Sequence, residues 1–227
     1  MRCSHLLHRV DDLHDAVTRF TEAGFTVVHG RRAERSANAL IWFETGPFLE
    51  LVVVPRPTPP VLWTAQVYGG RALRARVERW ADRGRHWVDL AVETDDANLA
   101  AERRRLRSAG VPVSRALSIG RRTPDGVRLR WQVMAPADPR LPFAMSAYRP
   151  PARPSRVVHA NGATGVAAVH VGVPGAARAA WDAIVDGDDP WIRAEDGDGI
   201  RLVELAGLRA PLDAALVGDL PLVGAGH

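Results

Sequence analysis

The chain has 227 residues, 46% of them hydrophobic, with 30 basic and 26 acidic side chains and a net charge of +4. That composition supports one or two buried cores. It offers neither the basic stripe with interleaved aromatics of a nucleic-acid surface nor an apolar run near the ~20 residues of a membrane span. Cys3 is the one cysteine, so an internal disulfide is excluded and a reducing cytoplasm is the expected compartment.

Every basic residue is arginine, which carries the pI to 10.4 despite the small net charge. Arg71, Arg74, Arg76 and Arg79, like Arg103–Arg105 with Arg107, read as solvated helix faces. His5, His8 and Arg9 interrupt the N-terminus too early for a signal segment.

In chain order, Ser4–Val10 reads as a strand with His5 and Leu7 on one face and Leu6, His8 and Val10 on the other. Asp11 or Asp12 caps a helix with Leu13, Ala16, Val17 and Phe20 at helical spacing, stopped at Gly24. Phe25–His29 is a second strand, residues 31–37 a polar loop, and Asn38–Phe43 a third strand. Phe48–Val54 is the fourth, entered from Gly46-Pro47 and left through Pro55. Its period of two places Phe48, Glu50 and Val52 together, so a lone carboxylate sits mid-strand on an apolar face. Burial there disfavours the ionised form unless a cation or donors compensate.

Residues 55–60 hold four prolines and form a linker that cannot continue a sheet. A helix over 70–81 follows, with Leu73, Val77 and Trp80 on one side. The first pattern then returns. Trp87–Glu93 is a strand, Asn98–Ala109 a helix closed by Gly110, and Val111–Ser114 begins another strand. Gly126–Met134 and Pro142–Tyr148 complete the set. "EAGFTV" and "SAGVPV" close the two helices alike, and "GPFLELVVV" answers "LPFAMSAYR". A third, shortened copy runs from Gly165–Val173 through a helix over Ala177, Ala180, Trp181 and Ile184 to Gly199–Leu205. Residues 206–227 are too rich in Gly and Ala to assign.

The fold class is thus α+β: tandem βαβββ modules over 1–150 (1–55 and 86–150, joined by the Pro-rich linker and a helix), then a third shortened βαβββ-like unit over 156–227. The chain resembles the vicinal oxygen chelate superfamily and its glyoxalase-like domain proteins. The matching features are Ser4-His5, Ser36–Leu40, Phe48–Leu51, Arg122–Gly126 through Trp131, and His159–Ala163. The resemblance implies two modules paired into an incomplete barrel around a cleft. Active members commonly hold a divalent metal there, on a first-strand His and a fourth-strand Glu of each module. In this chain the first module keeps both, as His5 and Glu50. In the second, Asp89 falls at the His position and Met145 at the Glu position. The third offers Ala168 at the His position, with His170 two residues on and Glu204 in a Glu50-like context.

His5, Glu50 and Asp89 are therefore the candidate metal set, with water or substrate oxygens completing it. Asp89 is expected on the cleft side with Trp87 and Ala91. Beside Glu50 it needs a cation, either a metal or the guanidinium of Arg9 or Arg122, and the missing hard ligand at Met145 favours arginine. Arg122 is also a candidate substrate clamp and, with His5 and Glu50, a catalytic residue. Asn38, Trp131, Met145 and His159 are candidate ligand contacts. Each has a plainer role: loop bonding for Asn38, core for Trp131, turn support for His159. No nucleotide-binding glycine pattern or nucleophile triad spacing occurs.

Two functions follow. One is a metal-assisted lyase, isomerase or dioxygenase acting on a molecule with adjacent oxygens. The other is a metal-free protein that binds or sequesters an apolar small molecule, which suits Met145 and the apolar cleft face. Either has a small-molecule partner and none in nucleic acid or membrane; a homodimer is compatible with both.

Overall fold

The computed structural model describes residues 1–31, 37–81, 86–218 and 220–226. Ser36 of the motif above and most of the 31–37 loop lie outside these residues.

The first module runs β1 (Arg2–Val10), α1 (Leu13–Glu22), β2 (Val28–His29), β3 (Asn38–Ile41) and β4 (Phe48–Val53). Asp12 caps α1 by accepting from the Asp15 amide, worth about 1 kcal/mol, and Ala16 and Phe20 form its buried stripe. Gly24 ends the turn at φ +85°, where a Cβ would also strike Asn161 at 2.8 Å. The second module runs β5 (Trp87–Thr94), α3 (Ala100–Ser108), β6 (Leu117–Arg122), β7 (Arg128–Met134) and β8 (Phe143–Ser146). The strand expected at 111–114 is instead a single bridge from Val113 to Pro136, and the true strand starts at Leu117.

Between the modules, α2 (Pro59–Trp80) begins inside the Pro-rich stretch, where a linker was expected. Proline at the first helical positions lacks only an amide that would go unbonded anyway. The helix breaks at Gly70, whose φ of 71° and ψ of −169° only glycine adopts without strain. The carbonyls of Val67 and Tyr68, orphaned at the break, accept from Arg115.

The eight strands form one curled sheet in the order β2-β3-β4-β1-β5-β8-β7-β6. Within each module the first and last strands pair in parallel, β1 with β4 and β5 with β8. The modules join through antiparallel β1 and β5. The third unit comprises β9 (Gly165–Val173), α4 (Arg178–Ile184), β10 (Ile192–Asp196), β11 (Gly199–Ala206), α5 (Ala214–Val217) and β12 (Leu222–Gly224). It keeps the βαβββ element order apart from the short α5, but it pairs differently. β9 lies parallel to the next strand, β10, and antiparallel to β11, giving the order β10-β9-β11-β12.

One apolar core joins the convex side of the large sheet (Leu6, Leu49, Leu51, Leu90, Val92), α1 and the small sheet (Val169, Val171, Val203, Leu205). The concave side carries two smaller clusters. One is Leu7, Val88, Ala91, Phe143 and Met145; the other is Leu40, Trp42 and Phe48. The parities expected for β1 and β4 hold. In β5 they slip at a bulge opposite Leu7 and His8, so Trp87 turns into the convex core and Val88 into the concave face.

Candidate functional site

Register brings the first module's two polar residues together. His5 pairs with Phe48, and Leu7 with Glu50, so His5 and Glu50 are diagonal neighbours on the concave face. His5 Nε2 lies 3.3 Å from Glu50 Oε2. The imidazole stacks on Phe48 at 4.5 Å and meets the edge of Phe143 at 5.7 Å, while its Nδ1 lies 3.1 Å from Ser4 Oγ. Asn38, one strand over, donates to Glu50 Oε1 at 2.6 Å. The Glu50 side chain keeps 16% exposure against 5% for His5, so solvent reaches the pair through the carboxylate.

Burial pushes the Glu50 carboxyl up. The His5 bond and charge, the Asn38 bond and the Arg121 guanidinium outweigh it and hold Glu50 below its ordinary value. Tyr148 stands beside Trp131 at 5.0 Å between ring centres. Burial and the nearby Glu50 charge push its phenol far above the ordinary value.

Arg121, not Arg122, is the arginine of this site. On β6 it pairs with Leu129, two residues from the Ile119–Trp131 pair, on the face turned to the cleft. Besides its electrostatic reach to Glu50 and Tyr148, it donates to the Gly30 carbonyl. Arg122 alternates to the opposite face, is exposed, and donates to the Gly126 carbonyl at 3.1 Å. The late start of β6 explains the slip: the strand expected at 111–114 left the parity of 121 and 122 unset.

Asp89 lies in the β5 bulge and is not gathered with His5 and Glu50. Arg76 Nη1 donates to its Oδ1 at 2.6 Å, Trp80 Nε1 to Oδ2 at 2.5 Å, and the Leu90 amide to Oδ1 at 2.8 Å. The expected guanidinium is present, but it comes from Arg76 rather than Arg9 or Arg122. Arg76 is no solvated helix residue: it is 1% exposed, bonds the Leu141 carbonyl and lies over the Phe143 ring. With Leu73 and Trp80 it forms the face of α2 that covers the second module's half of the cleft, above a cavity of about 80 Å³.

The paired registers also identify the equivalent positions. His5 opposite Phe48 corresponds to Ala91 opposite Phe143, and Glu50 to Met145. Ala91, not Asp89, therefore stands where a second histidine would. Among the described residues no three His, Cys, Asp or Glu side chains form a metal-ligand group. A divalent ion wants at least three protein ligands, and the positions that would supply them hold a methyl group and a thioether. This donor set does not fit such an ion.

Met145 lines the concave cluster, its Sδ 3.4 Å from the Ser4 hydroxyl, which also reaches Glu93 Oε2 at 2.9 Å, and Trp131 packs on the same cluster. His159 is 3% exposed and clamps the fold instead. Its Nδ1 accepts from the Thr26 amide at 2.9 Å and its Nε2 lies 3.0 Å from the Trp42 carbonyl, leaving neither nitrogen for a ligand. His170 and Glu204 meet at 2.8 Å on the small sheet, apart from the cleft.

A family model described as a glyoxalase-like domain matches residues 3–185. Among solved structures, a hypothetical protein from Staphylococcus aureus superposes with a TM-score of 0.61 at 15% identity, covering 92% of each chain. The Mn(II)-bound glyoxalase from Novosphingobium aromaticivorans superposes with a TM-score of 0.53 at 12% identity, over 90% of this chain and 65% of that one. At these identities the likeness is one of fold. No curated protein matches the chain. Among the described residues no helix is long and apolar enough to cross a membrane.

Proposed function

The chain belongs to the glyoxalase-like domain family, and from that premise we propose that it binds a small aromatic molecule bearing a hydroxyl in the first module's half of the cleft, without needing a metal ion. The observation that carries this reading is the asymmetry of the cleft. His5 and Glu50 face each other at 3.3 Å, while their counterparts are Ala91 and Met145. Phe48, Trp42 and Leu40 supply apolar walls. The ionised Glu50 supplies a charged acceptor for a ligand hydroxyl, and Arg121 balances its charge.

The chemistry open to these residues is binding and proton handling. Glu50 is the hydroxyl's acceptor. His5, fixed between Phe48 and Ser4, is placed to pass a proton to or from the carboxylate. Asn38 fixes the carboxylate's orientation by occupying its other oxygen.

A metal-assisted lyase, isomerase or dioxygenase is the second reading. It is favoured by the retained His5–Glu50 half-set and by the fold shared with a Mn(II)-bound glyoxalase. The test is a thermal-shift series with catechol, phenol and benzoate, run in EDTA and again in Mn(II). Stabilisation by the phenolic probes in EDTA, lost in Glu50→Gln and His5→Ala, supports metal-free binding. Stabilisation that requires Mn(II) favours the second reading.

A further inference from the structure

The face of β6 and β7 turned away from the cleft carries a separate constellation. On β7, Trp131 and Val133 pack with the cleft cluster while Met134 joins the convex core, so even-numbered residues point away from the cleft. Arg128 and Arg130 therefore share that outer face. Arg122 lies directly across from Arg128, and Arg149 directly across from Arg130. Two cross-strand arginine pairs are thus stacked on one patch of sheet, an arrangement in which like charges oppose each other.

Elsewhere this chain matches arginines to acids, as in Arg2–Asp95, Arg19–Asp15 and Arg140–Asp138. Among the described residues none of these four has an ion-pair partner, and the one side-chain bond any of them makes there is from Arg122 to the Gly126 carbonyl. Of the nearest acids in sequence, Asp138 pairs with Arg140 instead, and Asp125 in the hairpin turn forms no ion pair with them among the described residues. A groove of about 430 Å³ takes in this face, with Arg128, Arg130 and Arg149 on its walls, Gln132 and Ser118 adding neutral polar groups, and Ile119 and Trp131 of the other face at its margin. Gly120 sits opposite Arg130 and leaves the hollow without a side chain.

We propose that this groove binds a small, multiply charged anion of the phosphate-ester class. Guanidinium forks match phosphate oxygens two at a time. Cross-strand pairs with no acid to balance them call for more than one negative charge. The open groove has room for a phosphorylated small molecule, and Trp131 alone among its lining residues is aromatic, not the exposed row that single-stranded nucleic acid stacks on. Neither His5 nor Glu50 lines the groove, so neither reading depends on the other.

The experiment is calorimetric titration of inorganic pyrophosphate into the full chain at constant ionic strength, with sodium chloride as the blank. It is repeated on Arg128→Ala and on the Arg130→Ala/Arg149→Ala double variant. The expected result is saturable one-to-one binding, at least about tenfold weaker in the double variant. The melting temperature of that variant without anion should equal or exceed that of the parent, because the repulsion is gone. No saturation in the parent, or equal affinity in the double variant, overturns the proposal. So does a short DNA duplex that binds more tightly than pyrophosphate and loses its affinity in the same variant.

Discussion

The two halves of the cleft share a backbone and differ in what fills them. In the first module the concave face presents His5, Glu50 and Asn38 among aromatic walls. In the second, the matching positions are Ala91 and Met145, and α2 lays Leu73, Arg76 and Trp80 against their neighbours Phe143 and Val133. One half is a polar site reached by solvent; the other is closed by the chain's own helix. A duplicated scaffold can therefore keep one ligand-facing half and turn the other into core. The buried Arg76–Asp89 pair lies on the closed side.

The largest test of that contrast is Arg76→Met. Removing one partner of a buried ion pair leaves Asp89 uncompensated and should cost about 3–5 kcal/mol. The joint replacement Arg76→Met/Asp89→Leu should recover most of it. Urea unfolding of the three proteins measures both. If the single variant loses nothing, α2 does not close the second half in the way described.

His8 sits at the seam of the modules, buried against Trp87 and Phe20. Burial pushes its imidazole down to about 4, against 6.5 in an unfolded chain. Between those values the unfolded chain binds the extra proton, so stability is full above about pH 6.5 and declines as pH falls towards 4, by up to about 3 kcal/mol. His8→Phe should flatten that part of the stability profile. Chemical denaturation across the same range reads the difference.

Glu50 is the counterpart on the polar side. Its folded pKa lies below the ordinary 4.5, so its contribution is present above that pH and fades as acid approaches the folded value. Glu50→Gln should remove this acid dependence and weaken phenol-type binding by about tenfold or more. The smallest effect on the cleft is expected at Gly70, where a Cβ meets nothing within 4 Å. Gly70→Ala should cost about 1–3 kcal/mol through the backbone alone, seen as a drop in melting temperature with cleft binding unchanged.

Much of this was legible in the sequence because alternation and helix spacing are local signals. The βαβββ order, the partnership of His5 with Glu50 and the duplication all follow from such patterns. The second half was misread where two signals conflicted. The "AG" repeat, from Ala23 to Ala109, sets an offset of 86 residues that carries His5 onto Ala91. Asp89 drew attention only because it is a carboxylate, and the bulge beneath it is invisible to a period of two. Arg76 stands three residues after Leu73 and four before Trp80, on one helix face, a spacing that would have marked it as buried had arginine not been read as solvated by default. Arg121 was missed because the start of β6 was misplaced. The helix from Pro59 was hidden by prolines that read as linker.

The central claim is that the cleft holds half a metal site and works without the other half. Calorimetric titration of Mn(II) chloride into the parent protein, His5→Ala and Glu50→Ala tests it most directly. The account predicts no one-to-one site of micromolar affinity in the parent, and weak, nonspecific heats of the same size in all three. Stoichiometric micromolar binding in the parent that disappears in both variants would contradict it.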